Sequence, residues 1–419
     1  MKIWIYRVLL FVLLFGLSAL SYGGNQLNPL LDKVVNGITL IGIPAAVLLY
    51  FKLPSLYKVV AWVLVLGVIL LILESMHLYN QYMYSYFVVK RFFYCGLCLS
   101  AYYVASQAGD LKIRYAVYVI FTFYVINQLV LGHIFSYSLT SESRTTIAPE
   151  SFYLIIPFLY YLVTYLNEKR VLHLLLALLT FGLIVFLLHR SVISAAVGAA
   201  GVVFGLAFVG KMPEHKLPVG LTLMTLALLL TIIAPFMTLL PERKFGSFAE
   251  SISGMFSPKE DETGSWRYEQ SQYYLSQIPE RPLLGWRYEG YDRGEIMANE
   301  DFPDKGTIIH SQYIDMLYNY GMLGLGINLF IIIGTLITMY VRNRVFTNEQ
   351  LVLFGFILSG LIYGISYQLP VYYWCFVGLG MYCGLKRPAL SFSPISTDGI
   401  GDPDSPSYPI ELENKYTLL

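Results

Sequence analysis

Apolar runs of roughly twenty residues, split by short polar connections, recur along most of this chain, and about 20 such residues are what one membrane-crossing helix requires. About twelve runs meet that pattern, near 3–22, 35–51, 58–76, 83–104, 115–136, 151–166, 171–188, 191–210, 218–239, 318–340, 350–368 and 370–385. One polar stretch, 241–307, breaks the series. Two helices are predicted there. Ser265 is placed to cap the first, with Glu269 in its opening turn, and the helix runs to about Ile278, where Pro279 and Pro282 end it. Arg267, Ser271, Tyr274 and Ile278 then share one face. The second helix is predicted to start at a Thr307 cap and to carry His310 in its first turn. It continues past Gly321 and Gly324, glycines suited to close packing or a kink at the membrane boundary.

This pattern implies membrane helices over 1–240, a loop subdomain over 241–309, more membrane helices over 310–387, and a tail over 388–419. The tail is rich in Ser, Pro, Gly and Asp, lacks the apolar surface to offset its ordering entropy, and is predicted to be disordered. Lys and Arg concentrate in alternate connections: Lys52/Lys58, Lys112/Arg114, Lys169/Arg170, Lys211/Lys216 and Arg342/Arg344, joined by Lys2, Arg7, Lys386 and Arg387 at the termini. The other short connections hold little beyond Lys33, Arg144 and Arg190. This bias puts both termini inside and the 241–307 stretch outside, which in a bacterium is the periplasm. Ser18-Ala19-Leu20 is a poor cleavage site, so the first helix is expected to be retained.

Composition agrees. The chain is 56% hydrophobic and 13% charged, against about 25% charged in soluble domains, so it is read as an all-α polytopic membrane protein. A net charge of +1 gives no reason to expect nucleic acid. Cys95 and Cys98 have redox-motif spacing but fall, like Cys375 and Cys383, inside apolar runs, where packed thiols are the simpler reading. The histidines show no metal-ligand spacing, and neither a phosphate-binding loop nor a dinucleotide fingerprint is present, so no metal or other cofactor is expected.

Candidate chemistry collects around the outer face. At a helix N-terminus the dipole biases His310 toward the neutral ring, which can accept a proton as a general base; a merely hydrogen-bonded interfacial histidine is the plainer alternative. Arg267, between Trp266 and Tyr268, has the planar fork suited to a diphosphate, with a surface ion pair to Glu262 or Glu269 as its plain reading. The 241–307 stretch holds 13 Asp/Glu against 8 Lys/Arg, so anion binding there must come from individual arginines. Arg190, between His189 and Ser191 at a span boundary, either meets a partner or snorkels to the interface. Arg144 in an outer loop, Arg91 beside Lys90 in an apolar run, and Arg287 are further candidates for substrate contact.

Three ordered pieces resemble the O-antigen ligase / O-antigen polymerase superfamily of envelope glycosyltransferases. They are His189-Arg190-Ser191 at a tight outer turn, Trp266-Arg267 leading to Pro282-Leu283-Leu284-Gly285, and His310 leading to Gly321-Met322-Leu323-Gly324-Leu325. Serine after Arg190, Ser311 after the histidine and Arg287 in place of a second glycine depart from the family's usual residues. The resemblance implies a C-type glycosyltransferase fold in the bacterial inner membrane and a glycan donor on undecaprenyl diphosphate. The acceptor would be a hydroxyl of lipid A–core or of a growing glycan. It also implies diphosphate contacts from Arg190 and Arg267, and His310 as the base in a metal-independent, inverting transfer. Ligase, repeat-unit polymerase and protein oligosaccharyltransferase share these motifs. A flippase or other transporter would instead call for internal repeats and many ionisable residues deep in the spans, and beyond Glu74, Lys90 and Arg91 these are lacking.

Overall fold

The computed structural model describes residues 2–16, 50–80, 86–109, 112–130, 147–187, 189–212, 224, 227, 262–286 and 309–385. Every regular element among them is helical. In chain order these are α1 (Lys2–Phe11, continued by a π-helical turn, Val12–Gly16), α2 (Ser55–Tyr79), α3 (Tyr86–Ala108), α4 (Ile113–Val130), α5 (Ala148–Tyr153), α6 (Ile155–Glu168), α7 (Val171–Phe186), α8 (Arg190–Phe208), α9 (Glu262–Gln277), α10 (Gln312–Arg342), α11 (Asn348–Tyr363) and α12 (Val371–Leu385). Among the described residues, three helices are long and apolar enough to cross a membrane, over Tyr57–Glu74, Arg190–Phe208 and Gln312–Arg342. Shorter apolar helices include Val171–Phe186, Asn348–Tyr363 and Val371–Leu385. All but residues 50 and 51 of the span expected near 35–51, all but 224 and 227 of that near 218–239, and the tail lie outside the described residues.

One expected span is divided. The 151–166 run becomes α5 and α6 with a break at Leu154. Pro157 explains the division, because it has no N–H to return to the Tyr153 carbonyl four residues back. The first loop helix also differs from expectation. It begins at Glu262, so Ser265 lies inside the helix and does not cap it. Its end is as expected: a single 3-10 turn over Ile278–Glu280 follows, with Pro279 in it.

Small residues let the central helices approach. Ala195, Ala196, Ala199, Ala200 and Ala207 of α8 are all buried, against α6 and α11, the arrangement by which apolar helices pack without a hydrophobic drive from lipid. Helix α12 packs against α3, α10 and α11. Cys95, Cys98 and Cys375 are buried free thiols at these contacts, with Cys98 Sγ 3.6 Å from Met381 Sδ, so the packed-thiol reading holds.

The connections rich in Lys and Arg pair with one another at one end of the bundle. Arg7 Nε donates to the Ala108 carbonyl at 3.1 Å, Lys211 Nζ donates to the Tyr340 and Asn343 carbonyls at 2.9 and 2.8 Å, and Asn167 donates to Asn348. Helix α11 starts at this end with a capping box. Thr347 Oγ1 accepts from the Gln350 amide, and Gln350 Oε1 accepts from the Thr347 amide. The Gln350 Nε2 group then donates to Asn343 Oδ1 at 3.0 Å and to the Cys383 carbonyl at 2.7 Å, fixing α10, α11 and α12 together.

Gln350→Ala strips the cap and removes the Nε2 donor to Asn343 Oδ1 and the Cys383 carbonyl, and should cost about 2 kcal/mol. Thr347→Ser keeps the hydroxyl and should cost under about 0.5 kcal/mol. Thermal unfolding of the purified protein in detergent ranks the two; equal melting temperatures would show that the box carries no stability.

Candidate active site

At the far end of α11 the chain keeps winding for one more turn, with the Tyr367 amide bonded to the Tyr363 carbonyl at 3.1 Å. That spacing stacks the two rings, 5.3 Å between centroids and 21° between planes. Phe152 of α5 lies against the other side of Tyr363, 4.4 Å between centroids. Residues 364–370 then cross above the start of α10. Gln312 N donates to the Gly364 carbonyl at 2.9 Å, Gln312 Oε1 accepts from Leu369 N at 3.0 Å, and Gln368 Nε2 donates to the Ile309 carbonyl at 2.7 Å. These bonds hold 309–311 extended, so α10 begins one turn later than the sequence suggests. Ser311 is its N-cap, its hydroxyl accepting from Ile314 N. His310 therefore sits just before the cap and not in the first turn, and Thr307 lies outside the described residues.

The two glycine motifs meet. Helix α10 is broken at Gly321, whose φ of 63° and ψ of −164° fall where only glycine settles. The break releases backbone groups, and the Pro-Leu-Leu-Gly segment takes them up. Met322 N donates to the Pro282 carbonyl at 2.8 Å, Leu323 N to Leu283 at 3.3 Å, and Trp286 N to the Tyr318 carbonyl at 2.6 Å. Gly285, at φ 74°, lies so close that a Cβ there would stand 2.6 Å from backbone atoms of Tyr318, Asn319 and Gly321. A Cβ on Gly321 would in turn overlap the Leu283 carbonyl.

Side chains extend this seam to α9. Tyr274 packs edge-on against Tyr318, 4.7 Å between centroids, and the two form a buried cluster with Ile309. Trp286 stacks over Tyr318, donates its indole N–H to the Gln277 carbonyl at 2.9 Å and carries Arg281 on its ring. Tyr274 and Ser271 lie on the face predicted to be shared with Arg267, with Tyr274 buried and the Ser271 hydroxyl bonded to the Arg267 carbonyl.

On that face, two turns before Tyr274, Arg267 reaches Tyr367. Its Nη2 donates to the phenol oxygen at 3.2 Å, and its Cζ lies 4.8 Å from the ring centroid. Its Nε is buried with no acceptor among the described residues. His310 approaches the same ring, 6.4 Å between centroids at 63°. Arg267 and His310, more than forty residues apart in sequence, thus share one tyrosine. Arg190 is the first residue of α8, following the buried, extended His189. Its helix touches α5, the short helix that carries Phe152. Arg144 and Arg287 lie outside the described residues, and Arg91 falls in α3 where side chains are not described.

Several residues at this end carry no motif. Tyr367 reads in the sequence as one more aromatic at the end of a span. Asp315, 1% exposed, accepts from Asn319 Nδ2 at 3.0 Å on the inner face of α10; it precedes the apolar run at 318–340, so nothing in the hydropathy pattern marked it. Glu150 stands in the first turn of α5, outside the spans. Burial pushes its carboxyl up to about 7, against a smaller opposing effect of the Ile147 backbone. Among the described residues no three His, Cys, Asp or Glu side chains cluster as metal ligands do.

A model of the O-antigen ligase family matches residues 139–329, which bears out the resemblance read from the motifs. The matched stretch contains Arg190, Arg267, His310 and both glycine segments. No curated protein matches the chain.

Gly285→Ala or Gly321→Ala forces a Cβ into backbone that cannot move aside, and either should lower glycosyl-transfer activity at least about tenfold while the protein still reaches the membrane. Activity of either variant at the native level would show that the seam does not position α9. Glu150 titrates in a separate way. The fold retains a proton that the unfolded chain releases near 4.5, so stability is full below that value and declines as pH rises toward 7. Glu150→Gln should remove this decline, read as melting temperatures at about pH 5 and about pH 8; a parallel decline in both proteins would assign it elsewhere.

Proposed function

We propose that this chain, a member of the O-antigen ligase / O-antigen polymerase superfamily, is a ligase-type glycosyltransferase. It moves a glycan from undecaprenyl diphosphate to a hydroxyl of lipid A–core at the periplasmic face of the bacterial inner membrane. The observation that carries the reading is the meeting of Arg267 and His310 at Tyr367, under a loop docked backbone to backbone on a broken helix. The fold is of the C type, with about twelve spans and both termini in the cytoplasm.

The chemistry follows from the groups present. His310 accepts the proton of the acceptor hydroxyl as that oxygen attacks the anomeric carbon. The bond from that carbon to the diphosphate oxygen breaks on the opposite face, so the product is inverted. The departing diphosphate gathers negative charge, and Arg190 and Arg267 stabilise it with forked, permanently charged donors. The loop carries an excess of acids, so selectivity for the anion rests on these two arginines and not on a general field. Arg91, Arg144 and Arg287 are further contacts for the glycan or its lipid carrier. With arginines supplying the charge, the transfer runs without a metal or other cofactor.

Deleting the gene should abolish the O-antigen ladder on a lipopolysaccharide gel and cause undecaprenyl-linked polymer to accumulate. A product with a single repeat would instead mark a polymerase, and intact lipopolysaccharide with lost protein glycans an oligosaccharyltransferase. Complementation with His310→Ala or Arg267→Ala should restore at most about one hundredth of the native product. If both variants complement fully at native expression, the site is wrongly assigned.

A further inference from the structure

We infer that Tyr367 is a positioning residue: its hydroxyl aims the Arg267 guanidinium and its ring sets the spacing between Arg267 and His310. This inference rests on the diphosphate-binding reading above.

Tyr367 is held from behind and in the chain. Its amide is bonded to the Tyr363 carbonyl and its ring is stacked on Tyr363, which rests on Phe152. Both neighbours are fully buried. Gln368 and Leu369, the next two residues, bond to Ile309 and Gln312 on either side of the His310–Ser311 pair. The ring is therefore anchored to the membrane body and to the histidine segment together. Arg267 arrives from a different part of the chain, on a helix that is mostly polar, and a long flexible side chain on such a helix needs a fixed point of reference.

The kind of contact matters as much as its presence. The phenol oxygen accepts from Nη2 at 3.2 Å while the ring faces Cζ at 4.8 Å. Neither contact neutralises the guanidinium, since one partner is a neutral hydroxyl and the other a ring quadrupole. A carboxylate in this place would orient the arginine equally well but would compete with a diphosphate for the same fork. In a loop with 13 acids, a neutral partner keeps Arg267 directed inward and fully charged.

The test uses the full chain in detergent, with undecaprenyl diphosphate as the binding probe, and membranes carrying the native donor pool for kinetics. Tyr367→Phe keeps the ring stack and loses the hydroxyl. It should weaken undecaprenyl diphosphate binding about tenfold, the effect of one lost hydrogen bond to a charged group, and raise the donor KM far more than it lowers kcat. Tyr367→Leu removes the ring too and should lower kcat in addition; Tyr367→Trp, restoring an aromatic face, should recover part of that loss in kcat. The phenylalanine variant carries the test if the leucine protein fails to accumulate. Native binding and donor KM in Tyr367→Phe, beside an Arg267→Ala protein that no longer binds the probe, would overturn this inference and leave the diphosphate reading intact. Undiminished binding in Arg267→Ala would sink that reading itself.

Discussion

A helix broken inside or near a membrane leaves amides and carbonyls that neither lipid nor the helix can satisfy, and α10 is broken at Gly321. The rest of the candidate site depends on how that break is filled. Residues 282–286 lay their own backbone across it, exchanging three hydrogen bonds with Tyr318, Met322 and Leu323. Irregular backbone is tolerated at membrane depth only where protein covers it, and here the cover and the break define one another. Because the contact is between main chains, with no side chain intervening at Gly285 and Gly321, it leaves little freedom for the segment that precedes it, residues 278–281. Helix α9 ends only a few residues earlier, and its orientation is set by this seam together with the Tyr274–Tyr318–Ile309 cluster.

The second constraint is the stack Phe152–Tyr363–Tyr367, which ties the segment after α11 to α5. Arg267 comes to it from the loop and His310 from the entry to α10. Electrostatics alone does not account for this meeting, since the loop is acidic overall. Packing brings the cation to its place, and the neutral tyrosine keeps its charge available. Helix α11 thus has two unlike ends. The start is closed by a capping box and by the bonds of Gln350 to Asn343 and the Cys383 carbonyl. The other end unwinds through turns into 364–370, where backbone and amide groups are spent on holding the His310 segment.

Much of the helical plan was legible in hydropathy because a spanning helix must be apolar along its whole length. The face of α9 was legible too, since Arg267, Ser271 and Tyr274 recur at helical spacing, and so was a kink near Gly321. Local rules failed where tertiary contacts decided the matter. Thr307 and Ser311 are both acceptable caps by composition; the bonds from Gln312 and Gln368 to distant residues selected Ser311. The start of α9 at Glu262 was hidden by Ser265, an acceptable cap three residues later; the division at Pro157 was readable in principle from a missing amide, but a window of apolar residues outweighs it. The pairing of the two glycine segments was not readable, because each satisfies its own local pattern and neither names its partner. Tyr367 was missed for a related reason. Among 35 tyrosines, nothing local marks the one on which two motifs converge.

The family match ends at residue 329, before α11 and before Tyr367. The arginine, histidine and glycine segments thus lie within the matched region, while the aromatic surface that joins Arg267 to His310 comes from beyond it. This division has a physical sense. The matched residues supply charge, a proton acceptor and a backbone seam, all of which depend on residue identity. The stack beyond them supplies a rigid plane, which Phe or Tyr can provide at Phe152 and Tyr363 alike. At Tyr367 the demand is narrower, because there the plane must also offer an acceptor to a guanidinium. A ring alone fixes distance; a ring with a hydroxyl fixes distance and direction without cancelling the charge it directs.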